Sequence, residues 1–249
     1  CRDVVRRFGG LTAVNTVSFD VPNGSIFAVI GPNGAGKSTL FDVVSGMQRP
    51  TSGQILFRGQ SVVGLAPHAI TRLGMARTFQ LIRLFASSSV TENVLVGMDA
   101  HQRPSALAAI VGTPGYRRSE RDSLARVADI LDFCGIRSLA SEAAGNLSYG
   151  DQRRVEIARA LATQPRLLLL DEPAAGMNPI EKRGLATLVR AIRDEGTTVL
   201  IIEHDMSLIM DLCDEVLVLD HGLVIAHGPP HQVSHDRAVV EAYLGVDVA

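Results

Sequence analysis

The sequence predicts an α/β fold: a parallel sheet buried on both faces, built around a phosphate-binding loop, with antiparallel strands before it and a helical insertion. Three observations carry that expectation. The stretch Gly31-Pro32-Asn33-Gly34-Ala35-Gly36-Lys37-Ser38-Thr39 fits the pattern G-x-x-x-x-G-K-[ST]. The runs Ile26–Ile30 and Leu167–Leu170 are unbroken apolar stretches, and Thr198–Ile202 is apolar after its first residue, as strands covered on both sides require. The last two runs lead into polar pairs, Asp171-Glu172 and Glu203-His204, at the carboxyl edge where open α/β sheets bind ligands.

Composition bounds the alternatives. A chain of 249 residues buries a substantial core. Its hydrophobic fraction of 46% with only 4% aromatic residues suits an aliphatic parallel sheet. Lys and Arg number 24 against 26 Asp and Glu, with no concentrated basic block, so a nucleic-acid partner is not expected. The cysteines, Cys1, Cys134 and Cys213, lack metal-ligand spacing and suit a reducing compartment. No apolar run approaches the roughly 18 residues that cross a bilayer, and no signal peptide is visible, so a soluble chain is expected. Because Val4-Val5 already reads as strand, Cys1 is taken as a position preceded by lost residues rather than as a lipidated terminus.

In chain order, alternating apolar residues from Val4 to Val21 predict antiparallel strands turning at Phe8-Gly9-Gly10. Phe8 either stacks on a purine or simply packs. After the strand Ile26–Ile30, the loop glycines let the backbone approach phosphate oxygens. Lys37 reaches the β- and γ-phosphates and the Ser38 hydroxyl ligates Mg²⁺. Leu40, Phe41, Val43 and Val44 recur at helical spacing, so the phosphates lie on a helix N-terminus. Gly46 and Pro50 stop that helix. Thr51-Ser52-Gly53 is expected to turn into Gln54-Ile55-Leu56-Phe57, and a further strand leads to Arg77-Thr78-Phe79-Gln80. Gln80, at an expected strand end, holds Mg²⁺ or the attacking water. The run Leu81-Ile82-Arg83-Leu84-Phe85 either joins the core or lies on a partner.

From about Val90 to Ala144 the chain reads as a mostly helical inserted lobe, with Leu124–Leu131 as its clearest segment. Breaks are expected at Gly97, Pro104, Gly112, Pro114 and Gly115, with a surface loop from about Gly112 to Arg118. Leu147-Ser148-Tyr149-Gly150-Asp151-Gln152 then opens a helix carrying Val155, Ile157, Ala158 and Leu161. Ser148 and Asp151 form an S-x-x-D capping box, and the same helix start is an anion site whose phosphate can belong to another subunit. At the end of the leucine strand, Asp171 serves Mg²⁺ and Glu172 polarises a water as general base; the alternative is a helix N-cap. His204 is placed to hydrogen-bond a γ-phosphate oxygen. Val216–Leu219 and Leu223–Ala226 form a hairpin across Asp220-His221-Gly222. His68, His101, His221, His227, His231 and His235 lack metal-ligand spacing and are read as surface or turn residues.

With these pieces in order, the chain resembles an ATP-binding cassette ATPase over nearly its whole length. The resemblance rests on the phosphate loop from Gly31 to Thr39, Gln80, the signature sequence from Leu147 to Gln152, the Asp171-Glu172 pair and the switch residue His204. It implies a P-loop NTPase (RecA-like) core with an antiparallel β subdomain and an inserted helical subdomain. The whole chain is then one ATPase domain: 1–89 and 160–249 form the nucleotide-binding core, 90–159 the helical subdomain. ATP and Mg²⁺ are the implied ligands, with Glu172, His204 and Lys37 catalytic and Ser38, Gln80 and Asp171 at the metal. Nucleotide contacts fall to Phe8, to Asn33, Gly34, Ala35, Gly36, Lys37, Ser38 and Thr39, and to Gln80. The partner is a second such ATPase, identical or related, in a head-to-tail dimer. Ser148 and Gly150 contact the γ-phosphate held by the opposite subunit, and Ala174-Ala175-Gly176-Met177-Asn178 communicates between subunits.

More narrowly, Arg7–Val14, Arg77–Gln80, Arg153–Arg159 and Ala242-Tyr243-Leu244-Gly245 are similar to the branched-chain amino acid importer ATPase. That likeness implies integral-membrane permeases, a periplasmic binding protein acting through them, and a peripheral position on the cytoplasmic face of the inner membrane. ATPases of urea, amide or aromatic-acid importers look similar. Cassettes that work on ribosomes or DNA usually carry a second cassette or a zinc or coiled-coil insertion, which this chain lacks. Departures from the family pattern are Tyr149 in place of Gly, Asp151 in place of Gln, and Asn178 in place of Asp. A like charge about 4 Å from a phosphate costs about 4 kcal/mol at an effective dielectric of about 20, so Asp151 is expected to turn back onto its own helix.

Overall fold

A computed structural model describes residues 1–98 and 114–244. Its main sheet has six strands: β3 (Ile26–Ile30), β7 (Met75–Arg77), β8 (Leu167–Asp171), β9 (Thr198–Ile202), β10 (Glu215–Asp220) and β11 (Leu223–Gly228), in spatial order β11-β10-β3-β9-β8-β7. All but β11 run parallel, and β11 returns from β10 as the expected hairpin.

The alternation of a strand explains why Ile26–Ile30 and Leu167–Leu170 contain no polar position. Ile26, Ala28 and Ile30 enter one hydrophobic cluster, and Phe27 and Val29 enter the other. Leu168 and Leu170 divide from Leu167 and Leu169 in the same way. Each fully buried leucine contributes roughly 1.5–3 kcal/mol, and neither face of β8 could take a charge without losing it.

One face is covered by α1 (Lys37–Val44), α2 (Pro67–Leu73) and a three-stranded antiparallel sheet. That sheet pairs β1 (Arg2–Phe8) with β2 (Leu11–Val17) and, on its other side, with β4 (Ser52–Gln54). The turn expected at Thr51-Ser52-Gly53 is therefore an edge strand. Gly53, at φ 93°, brings it against β1 so closely that a Cβ would lie 2.3 Å from the Asp3 carbonyl oxygen. Beyond it, β5 (Leu56–Phe57) and β6 (Gln60–Ser61) form a small separate hairpin.

The opposite face carries α3 (Val90–Met98), α4 (Pro114–Phe133), α5 (Tyr149–Leu161), α6 (Pro179–Asp194) and α7 (Met206–Leu212). Three expected breaks, Gly97, Pro114 and Gly115, are not breaks. Gly97 lies inside the last turn of α3, where a Cβ would sit 2.2 Å from the Arg159 carbonyl oxygen of α5. Its lack of a side chain serves helix packing rather than termination. From Pro114 on, the expected Gly112–Arg118 loop is the first turn of α4, where proline is tolerated because the first N–H groups have no intrahelical partner. Pro104 and Gly112 lie outside the described residues. The described residues close with α8 (Pro230–Val233) and α9 (Arg237–Leu244). No described helix is long and apolar enough to cross a membrane.

Candidate functional site

Because β3, β9, β8 and β7 are adjacent and parallel, their C-terminal ends meet at one edge, and each delivers part of a site. A cleft of about 530 Å³ bordered by Met75, Leu167 and Thr198 lies at the opposite edge, where these strands begin, away from that chemistry.

β3 feeds the phosphate loop. Gly36 caps α1 in the left-handed region at φ 98°, where a Cβ would lie 2.2 Å from the Ala13 carbonyl oxygen. At Gly31 a Cβ would lie 2.0 Å from the Leu219 carbonyl oxygen. These two glycines are thus required by neighbouring protein backbone. Gly34 at φ 84° has no such neighbour, and with Asn33 it lies exposed on the outer side of the loop. Ala35 faces inward, its amide donating to Pro32 O (3.2 Å) and its carbonyl accepting from Gly222 N (3.0 Å). Lys37 is buried and donates through Nζ to the carbonyls of Gly31 (2.7 Å) and Pro32 (2.9 Å). Burial lowers its pKa, against the pull of the Glu172 and Asp171 carboxylates. The Ser38 hydroxyl is exposed and Thr39 half-buried on the first turn of α1.

β8 ends in Asp171, almost completely enclosed. Its carboxylate accepts from Arg77 at the end of β7 (2.9 Å), and the same guanidinium holds Asp42 (2.7 Å) and the Ser45 hydroxyl (2.8 Å). Burial raises the pKa of Asp171, with Arg77 opposing. Arg77 was visible in the sequence, but its role was not, since it depends on β7 lying beside β8. Glu172 follows in the left-handed region at φ 45°, an uncommon conformation for a residue with a side chain. Glu172 Oε2 accepts from Gln80 Nε2 (2.9 Å) and stands 4.0 Å from Nδ1 of the largely exposed His204. Gln80 itself lies beyond the strand end, which falls at Arg77. Glu203, between β9 and His204, is spent on backbone: it accepts from Ala174 N (2.8 Å) and His204 N (3.2 Å).

The signature segment opens α5. Ser148 is its N-cap, accepting from Asp151 N (3.2 Å), while the Ser148 hydroxyl donates to Asp151 Oδ2 (2.7 Å). Asp151 is turned back as charge repulsion requires, although its carboxylate meets the capping hydroxyl rather than the N-cap amide of a full box. Gly150 packs against α6, where a Cβ would lie 2.9 Å from Glu181 Oε1. Asn178 caps α6 in a reciprocal box with Glu181 (2.8–3.0 Å). The Tyr149 hydroxyl accepts from Arg153 (3.0 Å), and its ring faces Gly176.

Sequence reasoning missed Arg153 as well. Fully buried, it donates to Glu156 Oε2 (2.6 Å), Phe79 O (2.6 Å) and Gln80 O (2.8 Å), and Glu156 Oε1 accepts from Phe79 N (3.3 Å). An Arg with a Glu three residues on, on the same helix, was the available signal. Phe8 stands at the end of β1, partly exposed, with the Arg6 guanidinium 4.4 Å over its ring.

Among the described residues no cluster of His, Cys, Asp or Glu could by itself cage a metal ion. The oxygen donors present are Ser38, the Gln80 amide and Asp171. That set fits Mg²⁺, which takes one or two protein oxygens together with phosphates and waters.

The chain matches the family described as ABC transporter over residues 14–175 and the branched-chain amino acid ATP-binding cassette transporter description over residues 224–249. It is 45% identical over 240 residues to the high-affinity branched-chain amino acid transport ATP-binding protein BraF of Pseudomonas aeruginosa, spanning 96% of this chain and 94% of that one. To the corresponding LivG protein of Escherichia coli K12 it is 44% identical over 243 residues, 97% and 95% of the two chains. A crystal structure of a nucleotide-free ATP-binding cassette from an ABC transporter superimposes with a TM-score of 0.86 at 32% identity, covering 98% of both chains. Loop, signature segment and strand-end carboxylates thus stand in the fold of that cassette, and the chain belongs to the ABC transporter family as an ATP-binding subunit.

Proposed function

We propose that this chain hydrolyses ATP in the dimer interface of an importer of branched-chain amino acids, at the cytoplasmic face of the inner membrane. The observation that carries the reading is the meeting of Lys37, Asp171, Glu172, Gln80 and His204 at the ends of four adjacent strands, with Glu172 against both Gln80 and His204. The names of the relatives support the cargo.

In this reading residues 1–89 and 160–249 hold the nucleotide and 90–159 present the signature helix to a second ATPase subunit, identical or related. Phe8 stacks on the adenine ring. Lys37 leaves the Gly31 and Pro32 carbonyls to meet the phosphates. Ser38, Gln80 and Asp171 would hold Mg²⁺, which when bound neutralises phosphate charge. Glu172 orients and deprotonates the attacking water, and His204 donates to the γ-phosphate. Ser148 and Gly150 complete the site of the opposite subunit, for which the Ser148 hydroxyl must leave Asp151. Leu81 (78% exposed) and Phe85 (54% exposed) follow Gln80 and offer apolar surface to a permease.

Glu172→Gln should keep Mg-ATP binding and lower turnover of the complex assembled with its permeases at least ~100-fold, about 3 kcal/mol in barrier. Saturated with Mg-ATP, the same variant should hold the two ATPase subunits together in sedimentation. Near-normal turnover would remove Glu172 from the role.

A further inference from the structure

We propose that Tyr243, on the last described helix, is a positioning residue of the phosphate loop, its hydroxyl holding the Gly31 peptide in the orientation that receives the nucleotide. The proposal rests on the reading of that loop as the ATP site. Gly31 is the joint between β3 and the loop, and the paired register of β3 ends one residue earlier, at Ile30. Its peptide groups are held from two directions. The N–H donates to the Tyr243 hydroxyl (2.9 Å), and the C=O accepts from Lys37 Nζ (2.7 Å).

Gly31 adopts φ 147°, open only to glycine here because a Cβ would meet the Leu219 carbonyl. A glycine joint is loose unless its peptide is held, and turning the Ile30–Gly31 peptide would redirect the loop that follows. The hydroxyl therefore holds the Ile30–Gly31 peptide, the joint from which the loop and its lysine depart. α9, which carries Tyr243, is anchored by buried Val239 and packs against β11. Burial pushes the phenol pKa up, so the group beside an anion site stays neutral. Nothing in residues 31–39 announces this contact, which joins the C-terminal segment to the loop across the whole sequence.

The test compares purified full-length wild type, Tyr243→Phe and Lys37→Ala for Mg-ATP binding by calorimetry, and the first two for ATPase activity in the complex assembled with the permeases. Losing one hydrogen bond at a buried donor should weaken Mg-ATP binding by Tyr243→Phe about three- to tenfold. KM should rise by the same factor while kcat stays within about twofold, the signature of binding lost equally in ground and transition states. In the nucleotide-free chain, hydrogen exchange at the Gly31 amide should accelerate in Tyr243→Phe. Wild-type affinity with unchanged Gly31 exchange would overturn the proposal, as would a fall in kcat and melting temperature at unchanged KM. If Lys37→Ala bound Mg-ATP as tightly as wild type, the reading of the loop itself would fall, and this proposal with it.

Discussion

Glu172 and Glu203 both follow apolar strands at the same sheet edge, and their surroundings give them different work. Glu172 turns through a left-handed φ to meet Gln80 and approach His204. Glu203 is buried, which raises its pKa, with the N–H groups of Ala174 and His204 pulling it back. A carboxyl whose folded pKa lies above its unfolded value of about 4.3 stabilises the fold most below that value. The contribution is lost as pH rises through the folded pKa. Glu203→Gln should therefore gain stability relative to wild type between pH 4 and neutrality, about in that window, read as urea midpoints at each pH. Its turnover should fall less than about tenfold, because a Gln carbonyl still accepts one of the two amides. A midpoint difference independent of pH would show that Glu203 is not strained by its burial. Asp171, Glu172 and His204 were legible because each follows an apolar run. Arg77 and the bonding of Glu203 were not, because both depend on which strands lie side by side.

Between elements, the Arg153–Glu156 pair on α5 grips the backbone of Phe79 and Gln80, joining the segment that follows β7 to the helix that Ser148 caps. In the proposed function a movement of Gln80 would reach the signature helix through these hydrogen bonds. Arg153→Met would leave Glu156 buried without its cation and should cost about 3–5 kcal/mol of stability. The double variant Arg153→Met/Glu156→Leu should recover much of that loss, since a buried pair is often replaceable by apolar residues of similar size. The backbone of Phe79 and Gln80 would still lack its partners, so turnover should remain low after stability returns. Recovery of both together would mean that the pair transmits nothing. The strands and helices themselves were largely readable, because unbroken apolar runs and 3.6-residue spacing are local signals. The exceptions were Gly97, Gly53 and the Pro114-Gly115 pair. Gly97 and Gly53 serve close approach to a neighbouring element, and the pair sits where a helix starts, so each looks in isolation like a break.

Across the whole molecule, the helical insertion and the parallel sheet share one continuous hydrophobic cluster. Val94, Val127 and Val155 of the inserted helices belong with Ile26, Leu168 and Ile201 of the strands. Sequence spacing separated the insertion from the core but carried no information on how firmly the two are joined. The cysteines can measure it. Cys134, just after α4, is buried and Cys213, just after α7, is half-buried, and burial raises both thiols to about 12. Labelling at the buried Cys134 then requires opening of the surrounding structure, and the half-buried Cys213 serves as the reference on the sheet side. Mg-ATP at about 100 times its Kd stabilises the folded state by about 2.7 kcal/mol and slows any opening that destroys the nucleotide site roughly 100-fold. If insertion and sheet open as one body, as the shared cluster requires, labelling of Cys134 should slow by about that factor while that of Cys213 changes less, when labelled peptides are counted by mass spectrometry. Rapid labelling of Cys134 that Mg-ATP does not slow would mean that the insertion detaches by itself, and the continuous cluster would then not be what holds it to the sheet.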